Sequence, residues 1–325
     1  MPAHLRFSGG LAAIVPVRAY TSCSYTVPFW QNSYPMDKYR LVPERLVGDG
    51  TLGPADLVAP DPVSPEALLV AHTPEYVDAV VAGTVDAKAM RRVGLPWSAA
   101  LVRRSLSVIG GTLLAACAAL DEGVAANLGG GTHHAFAGHG AGYCLFNDLV
   151  IALRHLRARG LAEKFLVVDL DVHQGDGTAA LCRDDPGVFT FSMHGEKNFP
   201  ARKEKSSWDI GLPTATPDDP YLDTLSRSLP SLLERFSPDL ILYQAGVDVL
   251  AGDRFGKLAL TMEGVGERDR RVFELARAAG LPLVITLGGG YSPRIDRIAE
   301  AHCQTVRIAQ DMLAGKAARQ APDSS

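Results

Sequence analysis

The residues best suited to chemistry lie at positions 167–177, which read VVDLDVHQGDG. An apolar run leads directly into Asp169, Asp171, His173 and Asp176. Buried carboxylates are costly unless they are paired or coordinate a metal ion. Asp171 and His173 are two residues apart, so on a strand both side chains point to the same side of the sheet. This spacing suits two ligands of a single ion.

A third ligand is available in the segment QAGVD, where Asp248 follows another apolar run. Two carboxylates and one imidazole leave a coordination position free for water, as in a catalytic zinc site and unlike a cysteine-rich structural one. Ligand hardness makes Fe²⁺ a competitor for Zn²⁺. The alternative is a buried Asp171–His173 hydrogen-bonded pair with no metal.

Two adjacent histidines, His133 and His134, follow a glycine run at 129–131. Such a pair can act as general base and electrostatic partner for a water that attacks a carbonyl group. Each imidazole then needs a carboxylate to orient it, and Asp169 and Asp176 are the two acids not assigned to the metal. Either histidine taken alone is more simply a satisfied core residue, but tandem histidines beside a glycine-rich turn make that explanation improbable for both.

A tyrosine, Tyr291, follows the glycine run at 288–290. Glycines allow close backbone approach to a ligand, and a phenol at this point can donate a hydrogen bond to a developing oxyanion. Without other information, a tyrosine after a glycine turn is more simply a packing residue.

The elements that position these residues are apolar runs at 123–131, 165–173, 187–194, 240–248 and 281–290. Continuous apolar runs are typical of parallel strands covered on both faces. Helical patterns alternate with them at 147–159, 221–236, 263–279 and 295–313. The alternation predicts an α/β fold, a single-domain open parallel β-sheet flanked by helices on both faces. The polar residues should therefore meet at the carboxyl edge of the sheet, where open α/β sheets bind ligands.

Composition narrows the class of protein. The chain has 325 residues, 47% of them hydrophobic, and a formal net charge of −4. The sequence has no lysine- or arginine-rich run, which argues against nucleic-acid binding as the main activity. The N-terminal apolar patch is interrupted by Pro16 and Arg18, so neither a signal peptide nor a membrane span is expected. Five scattered cysteines without a CxxC pair favour a reducing compartment, and we predict a soluble cytoplasmic protein.

No linker or charge block divides the sequence. We therefore predict one domain over residues 1–325, with a flexible tail at 314–325.

Four segments together resemble the histone deacetylase family of the arginase–deacetylase superfamily: GGGTHHAFAGHGAGYCLFND, VVDLDVHQGDGT, YQAGVDVLAGDRFGKLALT and TLGGGYS. The segments SMHGEKNFPARKEKSSWDIGLP and MDKYRLVPERL are most similar to class IV and related bacterial members. The resemblance runs from about residue 34 to residue 291. It implies the arginase–deacetylase fold and a zinc-dependent amidohydrolase that removes an acetyl or longer acyl group from the ε-amine of lysine.

Carried over residue by residue, the resemblance makes Asp171, His173 and Asp248 the zinc ligands. It pairs the tandem histidines His133 and His134 with Asp169 and Asp176 respectively, and it makes Tyr291 the group that polarises the amide carbonyl.

The resemblance also implies that Gly142 and Tyr143 wall a tunnel for the acyl-lysine stem. A structural K⁺ would be held by backbone oxygens near the zinc ligands and by the side chain of Ser192. One departure is Gln174, where many members have histidine. That position is not a zinc ligand, so we expect altered packing around the site and not a loss of activity.

Three alternatives to this reading differ in their sequence requirements. A two-metal ureohydrolase of the arginase type needs further aspartates where this chain has Gly175 and Gly246, so it is disfavoured. An inactive metal-binding scaffold would be expected to have lost a ligand, a histidine or Tyr291. A deacetylase of acetylpolyamines or other small amides keeps the same chemistry and stays open. The expected partner is therefore an acyl-lysine protein or peptide, or a small acylated amine, with acyl length and oligomeric state undetermined.

Overall fold

The computed structural model describes residues 16–27 and 34–314, which build one eight-stranded parallel sheet. The strand order is β2-β1-β3-β8-β7-β4-β5-β6. The strands are β1 Arg18–Tyr20, β2 Leu57–Val58, β3 Val124–Asn127, β4 Phe165–Asp169, β5 Val188–Gly195, β6 Trp208–Leu212, β7 Leu240–Gln244 and β8 Leu283–Thr286. The tail predicted at 314–325 lies outside the described residues from 315 onward.

Helices connect the strands. They are α1 Lys38–Gly48, α2 Pro74–Ala82, α3 Ala87–Val93, α4 Ala99–Glu122, α5 Asp148–Ala158, α6 Asp176–Cys182, α7 Asp218–Arg235, α8 Met262–Ala279 and α9 Ile295–Leu313. The four helices predicted from sequence periodicity correspond to α5, α7, α8 and α9, with each boundary within three residues of the prediction.

Both faces of the sheet are covered, as the continuous apolar runs predicted. In β4, Leu166 and Val168 belong to a buried cluster with α1, α7, α8 and α9. The alternate residues Phe165 and Val167 belong to a second buried cluster with α2 to α5. Because successive side chains of a strand point to opposite faces, one run of apolar residues fills both cores. The predicted α/β fold class is confirmed.

Helix α4 is long and apolar enough to cross a membrane by length and composition alone, but 61% of its most apolar window is buried inside the protein. It begins after Ser98, whose side chain accepts a hydrogen bond from the Leu101 N–H. Its alanine-rich face packs against β3, β8 and α5. These contacts are those of a core helix.

The register brings the ends of the four central strands to one level. Asn127 of β3 pairs with Thr286 of β8, Thr286 pairs with Gln244 of β7, and Gln244 pairs with Asp169 of β4. The segments that follow these residues therefore emerge side by side at the carboxyl edge, the ligand-binding edge of open α/β sheets.

Candidate active site

Three buried side chains converge at the carboxyl ends of β4 and β7. Asp171, His173 and Asp248 each offer one ligand atom, and these atoms lie within 4.8 Å of one another. Nδ1 of His173 lies 3.0 Å from Asp171 Oδ1 and 3.2 Å from Asp248 Oδ2. The adjacency of β4 and β7 in the sheet explains how residues so far apart in sequence meet.

The hydrogen bonds of this triad leave one carboxylate oxygen, Asp248 Oδ2, without a donor in hydrogen-bonding geometry. Asp248 Oδ1 accepts from the Val172 N–H at 2.9 Å, whereas Asp248 Oδ2 is buried and accepts no hydrogen bond from any described residue. Asp171 Oδ2 accepts from the Gly289 N–H at 2.9 Å. An orphaned buried carboxylate oxygen is costly without a cation. The triad thus fits a divalent ion with mixed oxygen and nitrogen ligands.

Electrostatics support the same fit. Burial and the charge of Asp171 together raise the pKa of Asp248 to about 7. Burial lowers the pKa of His173, but the two carboxylates outweigh burial and raise it to about 10. Both shifts indicate an excess of buried negative charge that a proton or a metal ion must neutralise.

Neighbouring carboxylates occupy the space that the extra aspartates of a two-metal site would need. A Cβ atom at Gly246 would lie 2.1 Å from Asp171 Oδ2, and a Cβ atom at Gly175 would lie 2.4 Å from Asp169 Oδ2. Real Cβ atoms do not approach other atoms so closely. An aspartate at either position would therefore require the neighbouring carboxylate to move.

Each tandem histidine contacts one carboxylate. His133 Nδ1 lies 2.7 Å from Asp169 Oδ2, and His134 Nδ1 lies 2.6 Å from Asp176 Oδ1. The two rings are adjacent, with centroids 4.1 Å apart. Because Nδ1 faces a carboxylate in each pair, Nε2 is the nitrogen left to meet a substrate or a water.

The two histidines differ in protonation. Burial lowers the pKa of His133, but the Asp169 carboxylate outweighs it and raises that pKa to about 9. Burial and the positive charge of His133 lower the pKa of His134 to about 4, against the attraction of Asp176. At neutral pH the pair therefore combines an imidazolium with a neutral imidazole, a donor beside a base.

The turn that presents the histidines is fixed by Asp148, the first residue of α5. Its Oδ2 accepts from the Gly131 N–H at 3.0 Å, and its Oδ1 accepts from the Thr132 N–H at 2.7 Å. Helix α5 starts here because the Asn147 side chain accepts a hydrogen bond from the Val150 N–H. The motif FND thus caps a helix and holds the glycine turn at once.

Gly142 and Tyr143 lie on the wall of a cavity that leads to His134 and His173. Gly142 has φ +49°, and a Cβ atom there would lie 2.5 Å from His134 Cδ2. Glycine is therefore required for the loop to pass over the imidazole. Tyr143 adopts φ +68°, an unusual conformation for a residue with a side chain, and its N–H donates to the Val93 carbonyl at 2.7 Å.

Tyr291 closes the far side of the cavity. Its N–H donates to Asp253 Oδ2 at 2.6 Å, and its ring centroid lies 5.6 Å from that of Tyr143 and 5.2 Å from that of Phe255. Burial raises the pKa of Tyr291 well above its usual value. The phenol therefore stays protonated at neutral pH and remains a hydrogen-bond donor.

The cavity has a volume of about 320 Å³. Sequence reasoning missed two of its aromatic walls, Phe199 and Phe255. Phe199 is 46% exposed, and its ring lies edge-to-face on His134 with centroids 4.9 Å apart. Both residues lie in loops without periodicity. The available signal was an aromatic residue inside each of two segments that resemble the family, NFPARKEK and AGDRFGKL.

Ser192 and Gln174 lie beside the triad without pointing into the cavity. Ser192 of β5 pairs in register with Asp169, and its Oγ lies 2.9 Å from His194 Nδ1. Gln174 is fully buried and donates to the Glu204 carbonyl and to Asp209 Oδ1, both at 2.7 Å. Gln174 therefore fastens the metal-site segment to β6 and to the loop before it.

A buried ion pair on α8, which sequence reasoning also missed, holds the backbone segments that carry the triad. The guanidinium of Arg268 contacts Asp269 Oδ1 at 2.8 Å and is fully buried. It also donates to the Gly246 carbonyl at 2.5 Å and to the Leu170 carbonyl at 3.3 Å. These carbonyls belong to the two segments that carry Asp248 and Asp171, so one side chain ties both segments together.

Comparison with known proteins assigns this geometry to a family. The model of the "Histone deacetylase domain" family matches residues 34–307. An uncharacterised protein of Picosynechococcus sp. is 48% identical over 282 residues, which cover 87% of this chain and 94% of that protein. Histone deacetylase 2 of Arabidopsis thaliana is 31% identical, covering 85% of this chain and 75% of its own length. The crystal structure of a histone deacetylase homologue from Aquifex aeolicus matches with a TM-score of 0.74 and 25% identity, over 90% of this chain and 83% of that one.

Proposed function

This chain belongs to the histone deacetylase family, whose members are hydrolytic deacetylases, and we propose that it hydrolyses the side-chain amide of acylated lysine with the help of one divalent metal ion. The observation that carries the proposal is the placement of the Asp171, His173 and Asp248 triad beside the His134–Asp176 pair. Both lie at the inner end of one cavity with aromatic walls.

Asp171, His173 and Asp248 would hold the metal, which we propose to be Zn²⁺, with Fe²⁺ as the alternative. When bound, the ion supplies Lewis-acid polarisation of the acyl carbonyl and a lowered pKa for water. Ser192 can donate to His194 Nδ1 and keep its lone pairs for a cation, which supports a structural K⁺ beside β4 and β5.

The acid–base steps fall to the histidines. His134, neutral at pH 7 and oriented by Asp176, accepts a proton at Nε2 from the attacking water. His133 and Asp169 keep a proton between them, because burial raises the pKa of Asp169 while Asp169 raises that of His133. The pair therefore offers positive charge to the tetrahedral state and a proton source for the departing amine.

Tyr291 complements the charge that develops on the acyl oxygen. Its protonated phenol is positioned by the backbone bond to Asp253 and by the surrounding rings. Such a donor stabilises the oxyanion more than the neutral carbonyl, so it accelerates the chemical step.

The walls of the cavity favour a lysine stem. Tyr143, Phe199 and Phe255 present aromatic surface between solvent and the histidines, and an unbranched chain of methylene groups can bury its length against them. A branched or bulky amide would have to displace one of these rings.

The proposal is tested with metal-loaded protein and a panel of peptides that carry acetyl-, butyryl- or longer acyl-lysine, together with acetylated polyamines and guanidino compounds. We expect release of the free lysine amine with about one metal ion per chain. Hydrolysis of polyamines alone would replace the lysine substrate by the small-amide alternative. Two tightly bound ions with urea release would instead indicate a ureohydrolase.

A further inference from the structure

The mouth of the cavity is rich in basic side chains. Apart from the site histidines, the charged residues that line the described cavity are Arg92 and Lys257, both exposed. Arg254 lies beside them, with its guanidinium 5.4 Å from the centre of the Phe255 ring. Lys203 lies against the segment that carries Phe199. We call Arg92, Lys203, Arg254 and Lys257 the basic rim.

The basic rim forms no ion pair within the described part of the chain. Lys257 Nζ donates to the Lys197 carbonyl at 2.8 Å, and Lys203 Nζ donates to the Asn198 and Pro200 carbonyls, both at 2.6 Å. None of the four cations has a carboxylate oxygen within 4.0 Å among residues 16–27 and 34–314. Backbone carbonyls orient the two lysines, and the carboxylates that attract Lys203, those of Asp176 and Asp209, lie beyond ion-pair distance.

The carboxylates near the mouth accept hydrogen bonds from other groups and lie beyond ion-pair distance of the rim cations. Asp253 accepts hydrogen bonds from the backbone N–H groups of Tyr291, Phe255 and Gly256. Asp176 lies inside the cavity against His134. Glu204 forms an ion pair with Arg183.

One exposed acid, Glu196, lies three residues before Phe199 in the sequence. Glu196 packs its stem against the edge of β6 at Gly211. Among the exposed charged side chains at the mouth, the cations Arg92, Arg254 and Lys257 therefore outnumber the one acid, Glu196, although the whole chain has a net charge of −4.

We propose that the basic rim selects acyl-lysines that lie in acidic segments of proteins. This inference rests on the proposed function, since it names the substrate class of the same site. A lysine stem that enters the cavity brings its flanking residues against the rim. Flanking aspartates or glutamates meet opposite charge there, while flanking lysines or arginines meet like charge.

The same charge argues against acetylated polyamines. Such a substrate keeps one or more ammonium groups along its chain, and these would lie near Arg92 and Lys257, with no carboxylate among the described residues that line the cavity. A site built for polyamines would be expected to place an acid at the mouth. Ion pairs at an exposed mouth act mainly on association, so the preference should weaken as salt screens it.

The test uses three acetyl-lysine peptides of equal length with two acidic, two neutral or two basic residues flanking the lysine, and zinc-loaded full-length protein. At low ionic strength we expect kcat/KM to be about 10-fold or more higher for the acidic than for the basic peptide. Raising the salt concentration should shrink this ratio. The double charge reversal R92E/K257E should invert the order of the acidic and basic peptides.

The control is the double reversal R159E/K164E, the same change of charge at two exposed residues between α5 and β4, at the opposite edge of the sheet. It should leave the ratio unchanged, which separates the rim from overall net charge. Equal kcat/KM for the three peptides, or a preference for the basic peptide or for acetylspermidine, would overturn the inference while leaving hydrolysis established.

Binding of the same peptides, measured by the anisotropy of a fluorescent label at their N-terminus, tests the rim without turnover. If no peptide is hydrolysed, the proposed function fails. Tighter binding of the acidic peptide, weakened by salt and reversed in R92E/K257E, would still support the rim, and equal binding would refute it.

Discussion

Tyr291→Phe isolates one hydroxyl group. The ring contacts with Tyr34, Tyr143 and Phe255, at centroid distances of 5.8, 5.6 and 5.2 Å, do not involve the hydroxyl. The bond to Asp253 comes from the backbone. No described residue accepts a hydrogen bond from the phenol, so its removal should change the free energy of unfolding by less than about 0.5 kcal/mol.

The catalytic cost should be far larger. Removal of one oxyanion donor costs about 2.7–4 kcal/mol of transition-state stabilisation, or about 10²- to 10³-fold in kcat. KM should change much less, because the donor acts mainly after the carbonyl oxygen becomes negative. A packing role predicts nearly wild-type turnover, since the ring volume is kept.

The assay measures kcat and KM on a fluorogenic acyl-lysine substrate, with metal content and thermal unfolding determined on the same samples. Metal analysis is needed because loss of the ion would mimic the effect. A Phe variant with intact metal and a kcat within a few-fold of wild type would refute the role of the phenol. A matched variant is Tyr143→Phe, which removes a hydroxyl from the cavity wall and should lower kcat far less.

Four further predictions follow from the same geometry. Asp176→Asn should keep the fold and lower kcat by about 10²-fold or more, the contribution of a positioned general base, and full activity would remove Asp176 from the mechanism. Asp248→Asn should reduce bound metal well below the one ion per chain expected for wild type, as measured by elemental analysis. In metal-free protein, NMR of the imidazole nitrogens should find His133 protonated and His134 neutral at pH 7, with His133 losing its proton near pH 9. The opposite assignment at pH 7 would contradict these pKa shifts. Arg268→Met should destabilise the fold by about 3–5 kcal/mol in denaturant unfolding, because it leaves a buried carboxylate without its cation, and a loss below 1 kcal/mol would show that the pair is not needed.

The fold was accessible from sequence because each central strand has a simple signal. A run such as residues 165–168 is apolar at every position, as expected of a strand that is buried on both faces. The strand ends then determine where chemistry can occur. Once β4 and β7 are neighbours, Asp171 and Asp248 must emerge side by side, and only the order of the strands had to be learned from the structure.

Other features could not be read from sequence for physical reasons. Strands β1 and β2 are three and two residues long, too short for any periodicity to be recognised. Phe199, Lys203 and Lys257 lie in loops, where neighbouring residues in space are distant in sequence. A lysine in such a loop carries no signal that separates a solvated surface from the rim of a cavity.

The Arg268–Asp269 pair shows why residues that hold the metal triad in place cannot be recognised in the sequence. In the sequence it is one dipeptide in the charged run GERDRR, which predicts an exposed face of α8. In the structure both side chains are fully buried, and Asp269 also accepts from the hydroxyl groups of Tyr243 and Thr305. A buried ion pair recovers the cost of desolvation only when its remaining donors are satisfied. Here the carbonyls of residues 170, 245 and 246 satisfy the guanidinium, so the groups that make the pair tolerable are the backbone segments that carry the metal triad.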